Sequence, residues 1–466
     1  MKKNDLKKFL VKKGSSIKET MRVIDGEGLG IAFIVDRDRR FFGLATDGDI
    51  RRAILQGINI ERPIEEIANK KSIVIKRKFT EKEILNFKNS EIVKKRMPIG
   101  GFLKVPVIDK DGRIKDIVFI YSDERKISFL SKDKSKLKKE GVRKVLVIGG
   151  AGYLGSVLCR QLLKRGYRVR VLDNLTYGDD GIRELYKNKN FEFQKGDIRN
   201  ISEIIEAIKN TDVVIHLAAI VGDPACVVDP KKTLEINYLA TKMITETCKY
   251  FQINRFVFAS TCSVYGESSM PDTRLTEESQ LTPVSLYAET KIKCEQSILE
   301  AMDENFSPTI LRMATLYGYS PNMRFDLVVN LLTGKAVFDK KITIFGGDQW
   351  RPWLHVEDAA KAYINCLEAP IEKIGGEIFN VLSENYKIIE IGRIIKSICP
   401  EARLKISKKI TDKRNYNVSF NKISKILNYQ PEKKVKDGVT EIKNAIKKRL
   451  IKSYQDPKYR TSLPQI

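Results

Sequence analysis

Tyr287 and Lys291 stand four residues apart in Leu286-Tyr287-Ala288-Glu289-Thr290-Lys291, so on a helix they share one face. An ammonium beside a phenol favours the phenolate and draws its pKa from about 10 toward neutrality. A tyrosine so placed can take the proton of an alcohol while a hydride leaves the same carbon. Such a hydride needs an acceptor. Gly149, Gly152 and Gly155, in Gly149-Gly150-Ala151-Gly152-Tyr153-Leu154-Gly155, follow the apolar run Lys144–Ile148 and open a helical stretch. Gly149 permits a tight turn, Gly152 lets a pyrophosphate approach the backbone, and Gly155 lets helix and strand pack closely. Asp173 ends the next apolar run, in Val171-Leu172-Asp173-Asn174. A carboxylate there accepts hydrogen bonds from a ribose diol and repels a 2′-phosphate, so the pattern predicts a dinucleotide site that takes NAD rather than NADP.

The elements that must position these groups follow from periodicity. Val169–Leu172, Asp212–His216 and Arg255–Ala259 read as strands. Ser156–Arg165, Ser202–Lys209, Lys232–Tyr250 and Leu286–Ala301 read as helices, and the alternation predicts βαβ crossovers and a parallel sheet. Ile442, Ile446 and Leu450 predict an amphipathic helix within Val439–Tyr454. The polar, Lys-rich stretch Ser131–Arg143 reads as a linker. Ahead of it Ile34–Arg40 (IVDRDRR) is echoed by Val107–Arg113 (VIDKDGR). Each run suits a hairpin, so the region reads as two similar small modules sharing a core.

A chain of 466 residues is too long for one core of ordinary size. Its net charge of +26 is uneven: residues 1–140 carry +14, 141–400 are neutral and 401–466 carry +12. The neutral middle argues against nucleic-acid binding, as does the lack of aromatic–basic interleaving. Apolar runs are too short to span a membrane, and the Lys-rich start has no apolar core of a secretion signal. Seven cysteines without CxxC pairing predict reduced thiols and a cytoplasmic protein. With only His216 and His355 as histidines, no metal site is expected.

The glycine spacing and the Tyr-x-x-x-Lys pair resemble the extended short-chain dehydrogenase/reductase family, in its nucleotide-sugar epimerase/dehydratase branch, over roughly residues 143–450. Gly196-Asp197-Ile198-Arg199 is similar to the loop in which, by resemblance, Asp197 holds the adenine amino group. His216-Leu217-Ala218-Ala219 is similar to the strand end behind the cofactor, and Asn237 lies in the helix that supports the site. The resemblance implies cofactor contacts from Gly149, Gly152, Tyr153, Leu154, Gly155, Asp173, Asn174, Asp197, Ile198, Leu217, Ala218, Ala219, Tyr287 and Lys291. It implies catalysis by Thr261, Tyr287 and Lys291. Thr261 comes from Ala259-Ser260-Thr261-Cys262-Ser263-Val264-Tyr265-Gly266, where its hydroxyl would bond the reacting sugar oxygen. Sugar 4,6-dehydratases carry Asp-Glu at the places of Cys262 and Ser263, so their absence here argues against dehydration.

At the substrate end, Arg351 in Trp350-Arg351-Pro352-Trp353-Leu354-His355-Val356-Glu357-Asp358 resembles the family's diphosphate-gripping arginine. Cys262 reads as a small residue of the sugar pocket, Arg324 and Arg414 as further substrate-binding candidates, and His355 as a structural hydrogen-bonder. Thr315 stands where relatives often carry an Asn that contacts the diphosphate, and the Met-Arg-x-Asp-Leu run at Met323–Leu327 resembles a branch that oxidises GDP-heptoses at C4. The base and sugar stay open.

Phe42-Gly43-Leu44-Ala45-Thr46-Asp47-Gly48-Asp49-Ile50-Arg51-Arg52 resembles the Gly-x-x-Thr-x-x-Asp segment of CBS domains, in the form attached to sugar nucleotidyltransferases. The resemblance implies an adenine nucleotide held by Thr46 and Asp49. In the second repeat Asp116 and Phe119 take the places of Gly43 and Thr46, so at most one intact site is expected. A purely structural or dimerising module is the alternative.

The expected architecture is α/β. A CBS pair (α+β) spans 1–130 and a linker 131–142. A Rossmann-type doubly wound parallel sheet with a small C-terminal substrate lobe spans 143–454, and a tail 455–466. The expected function is NAD-dependent epimerisation of a nucleotide-diphosphate sugar through C4 oxidation, in a homodimer. A net C4 dehydrogenase, keto-reductase or dehydratase stays open, as does a non-catalytic NAD and adenylate sensor.

Overall fold

The computed structural model describes residues 6–27, 30–76, 102–121 and 127–129, single positions between 87 and 93, and then 144–268, 272–303, 306–407 and 412–459. The chain divides into two compact units, 1–143 and 144–466. Each is taken by itself. The expected linker at 131–142 lies outside the described residues.

In the first unit both repeated runs are hairpin turns. Ile31–Val35 pairs antiparallel with Phe41–Thr46, and Phe102–Ile108 with Ile114–Tyr121. The chemistry of the turns is duplicated. Asp36 accepts backbone N–H bonds from Asp38 and Arg40, and Asp109 accepts them from Asp111 and Arg113. The two turns also touch: the Phe41 N–H donates to the Gly112 carbonyl at 2.8 Å, and Arg113 Nε to the Asp38 carbonyl at 3.2 Å. Helix Asp47–Leu55 begins in a capping box, with Thr46 and Asp49 each holding the other's backbone N–H.

The second unit is built on a seven-stranded, all-parallel sheet. Its order is Ile378–Val381, Ser307–Met313, Arg255–Thr261, Val213–His216, Lys144–Ile148, Arg168–Asp173, Phe191–Lys195. Lys144–Ile148 lies inside the sheet between Val213–His216 and Arg168–Asp173, and Val145 to Ile148 are fully buried, as a β-branched run covered by helices on both faces requires. The chain winds outward from this strand in one direction and returns on its other side. The reversal opens a crevice between the carboxyl ends of Lys144–Ile148 and Val213–His216. A second core, around Tyr317, Val329, Trp353, Ile391 and Val439, belongs to the C-terminal lobe.

Three local expectations differ from the structure. The helix expected over Lys232–Tyr250 is broken by a π-turn at Glu235–Leu239 between Pro230–Leu234 and Ala240–Tyr250. Its extra residue lets Asn237 hold both backbone groups of Ile220, and hydrophobic periodicity does not reveal such an insertion. The C-terminal helix runs Val435–Lys447, not 439–454. Arg449 turns left-handed (φ 58°), which ends the helix and leaves Leu450 59% exposed. The expected tail is docked as far as it is described: Tyr459 packs on Phe325 with ring centres 5.5 Å apart, and its carbonyl accepts the Phe325 N–H at 3.1 Å.

Candidate active site

The glycine turn is shaped by contacts that exclude side chains. Gly149 has φ +84°, and a Cβ there would lie 2.6 Å from the Ala218 nitrogen. A Cβ on Gly155 would lie 2.5 Å from the Gly149 carbonyl oxygen. Helix Tyr153–Lys164 therefore starts against the strand, and its first residues, with the capping Gly152, line the crevice. Asp173 accepts backbone N–H bonds from Ala151 (3.0 Å) and Leu175 (2.9 Å), and burial nonetheless raises its pKa. Asp197 is gripped by Arg199 at 3.0 and 2.8 Å, which holds its carboxyl below the usual range.

A cavity of about 610 Å³ follows the crevice. Its lining includes all the expected cofactor residues: Gly149, Gly152, Tyr153, Leu154, Gly155, Asp173, Asn174, Asp197, Ile198, Leu217, Ala218, Ala219, Tyr287 and Lys291. A backbone groove that only glycine leaves open, a carboxylate at the end of the second strand and a cavity of this volume fit NAD. Bound there, the pyrophosphate would lie on the Gly149–Gly155 turn and the adenosine ribose against Asp173.

Thr261, Tyr287 and Lys291 meet at the far end of the same cavity. Thr261 closes the strand Arg255–Thr261 and accepts the Ser263 N–H at 3.1 Å. Ser285 caps the helix Leu286–Glu300, which places Tyr287 in its first turn and Lys291 in its second. Lys291 is only 3% exposed; its Nζ donates to the Ala259 carbonyl at 2.7 Å and lies 6.0 Å from the Tyr287 ring centre. Burial lowers its pKa. Burial pushes the Tyr287 phenol up; the nearby Cys226 and Asp223 add to this, while the Arg324 charge and a hydrogen bond with Thr261 pull it down. The expected depression of this phenol by Lys291 is thus corrected for the protein by itself. The ammonium is turned to Ala259, and desolvation dominates at the phenol.

Among the expected substrate residues, Thr315, Arg324 and Arg414 line the cavity beside Thr261. Arg324 is paired with Asp326 at 3.1 Å. Arg414 bridges Asp412 in the lobe (2.7 Å) and Asp223 in the sheet domain (3.3 Å). Cys262 and Arg351 are not part of the lining. Cys262 Sγ donates backward to the Arg312 carbonyl at 3.2 Å, because the chain turns into a 3₁₀ helix after Thr261 and brings Ser263 to the cavity instead. Arg351 is buried behind Tyr416, 5.4 Å from its ring centre, and paired with Asp412 at 3.0 Å. His355 is fully buried, with Nε2 2.9 Å from Glu441, a structural position.

Sequence reasoning did not single out Ser263, Tyr416 and Tyr177 as cavity residues. For Tyr177 a signal existed, since any loop leaving Asp173 must skirt the crevice. Tyr416 belongs to a lobe loop whose packing no local pattern shows.

Residues 145–381 match the model of the NAD dependent epimerase/dehydratase family. The chain is 30% identical over 311 residues to an uncharacterised UDP-glucose epimerase of Bacillus subtilis, covering 64% of this chain and 96% of that one. It is 31% identical over 315 residues to a putative UDP-glucose 4-epimerase of Methanocaldococcus jannaschii, covering 65% and 98%. The UDP-glucuronic acid 4-epimerase of Bacillus cereus, solved with UDP-glucuronic acid and NAD, superposes with a TM-score of 0.59 at 30% identity over 66% of this chain and 99% of that one. The glycine turn, Asp173 and the Thr261–Tyr287–Lys291 end of the cavity lie in this matched region, and the chain belongs to the NAD dependent epimerase/dehydratase family.

Proposed function

We propose that the second unit is an NAD-dependent nucleotide-sugar 4-epimerase. One observation carries the reading: a single cavity joins the glycine turn and Asp173 to Thr261, Tyr287 and Lys291. NAD, when bound, supplies reversible hydride acceptance at its nicotinamide. Thr261 holds the C4 oxygen of the sugar, and Tyr287, as the phenolate that the positive charges of Lys291 and of a bound nicotinamide would favour, takes and later returns that hydroxyl's proton. Lys291, fixed on Ala259, would hold the nicotinamide ribose of a bound NAD. Arg414 and Arg324 supply guanidinium groups for the diphosphate. The sugar rotates between the two transfers, so C4 changes hand without net oxidation.

Cys262 and Ser263 offer no carboxyl group, which favours epimerisation over 4,6-dehydration. Incubation with UDP-, GDP-, CDP- and dTDP-hexoses, read by chromatography and mass spectrometry, tests the reading. A C4 epimer of unchanged mass is expected. A product lighter by water or by two hydrogens would replace the epimerase with the dehydratase or dehydrogenase.

The first unit is read as a CBS pair that senses an adenine nucleotide at Thr46 and Asp49. In the structure Thr46 Oγ1 donates to Asp49 at 2.6 Å, and Arg52 pairs with the other oxygen at 2.6 Å. A ribose would share this carboxylate. Calorimetry of the full chain with ATP, ADP and AMP tests this, with Asp49→Ala as the control that abolishes the signal.

A further inference from the structure

Glu295 lies on the helix Leu286–Glu300 one turn beyond Lys291 and two beyond Tyr287, on the same face. Its side chain is 4% exposed, and that of its partner Arg312, on the strand Ser307–Met313, is 3% exposed. The pair is a two-pronged fork: Arg312 Nη2 donates to Oε2 at 2.7 Å and Nε to Oε1 at 3.1 Å. Ser260, next to Thr261, donates its hydroxyl to Oε1 as well. Ser260 also sits directly opposite Arg312 in the sheet register. The remaining Arg312 nitrogen donates to the Tyr265 hydroxyl (3.0 Å) and the Glu277 carbonyl (3.2 Å), and Tyr265 in turn donates to Asn380 at 2.8 Å.

A buried ion pair is weak evidence for stability. The loss of hydration roughly cancels the attraction, and apolar residues of the same volume usually serve a fold as well or better. The fork supplies direction instead. Apolar packing lets a helix rotate or slide by fractions of an ångström, whereas a bidentate pair tied to the strand fixes both its phase and its height. The groups so fixed against one another are Tyr287 and Lys291 on the helix and Thr261 on the strand.

We propose that Glu295, with Arg312 and Ser260, is a positioning device that sets Tyr287 and Lys291 against Thr261 for proton transfer. The proposal rests on the epimerase reading above. Glu295 and Arg312 lie outside the cavity lining, and Ser260, which is part of that lining, gives its hydroxyl to Glu295; the three act through the residues they hold.

The test compares the parent with Ser260→Ala and with the volume-matched pair Glu295→Leu/Arg312→Met, in the full chain with NAD. Melting temperature, substrate KM, kcat and the pH dependence of kcat are measured. For the double variant we expect a melting temperature equal to or above the parent's, KM within about threefold, and kcat down about 10- to 100-fold with a shifted pH profile. For Ser260→Ala we expect several-fold lower kcat with unchanged KM and melting temperature. An active parent whose Ser260→Ala variant keeps the parent kcat and pH profile overturns the proposal. So does a double variant that loses fold, KM and kcat together while Ser260→Ala is silent. A parent inactive on every nucleotide sugar would instead overturn the epimerase reading.

Discussion

Tyr287 lies half-buried in the cavity wall, and the charges around it are opposed: Arg324 draws the phenol down, Asp223 pushes it up. Tyr287 and Lys291 were picked out by their spacing and Thr261 by the resemblance of its segment, and the structure brings all three to one cavity. Cys262 and Arg351 lie outside the cavity lining because their sidedness is set by neighbours. A 3₁₀ turn points Cys262 at Arg312, and a lobe loop with Tyr416 and Asp412 covers Arg351. This contrast is testable in paired variants. Cys262→Ala leaves KM and kcat within about twofold of the parent, whereas Ser263→Ala, at the cavity wall, raises KM or lowers kcat by about 10-fold, the cost of roughly one neutral hydrogen bond to substrate. Steady-state kinetics on one nucleotide sugar checks both.

The strand–turn–helix that carries the glycines was read correctly at the level of elements, since β-branched burial and glycine punctuation are local signals. The π-turn at Glu235–Leu239 and the end of the last helix were not. One depends on the pull of Ile220 on Asn237, the other on a left-handed Arg449, and neither leaves a mark in hydrophobic spacing. Gly155→Ala tests the close strand–helix approach. Its methyl must displace the Gly149 carbonyl, so we expect a loss of about 1–3 kcal/mol by urea unfolding and a cofactor that no longer stays bound through purification. Unchanged stability and retained NAD would mean that the turn is looser than the contact distances imply.

At the scale of the molecule, the charge pattern has structural counterparts. In the basic C-terminal stretch lysines pair locally: Lys433 with Glu441 and Lys422 with Glu377, each at 2.8 Å. The family match falls in the second unit, which contains both cores around the cavity. We therefore expect residues 144–466, produced alone, to keep the parent's kcat within about threefold. Loss of folding on that cut would make the first unit part of the enzyme's stability.

A second global property comes from His216. Burial, with the charge of Lys291 adding to it, lowers its pKa to about 3, so the ring is neutral in the native state. The unfolded chain protonates near 6.5, so between about pH 6.5 and 3 it binds a proton that the native state does not. Stability therefore falls as pH falls across that window, by up to ~1.4 kcal/mol per unit from this group. Urea unfolding at pH 7.5, 6 and 5 should show the parent losing stability faster than His216→Gln, and parallel loss in both would contradict the assignment.

The central claim is tested most directly by following a nucleotide hexose with the parent and with Tyr287→Phe, both folded and loaded with NAD. The account predicts that the parent interconverts the C4 epimers without net change in NAD or product mass, and that Tyr287→Phe turns over about 10²- to 10⁴-fold more slowly. Turnover by Tyr287→Phe at the parent's rate would contradict it.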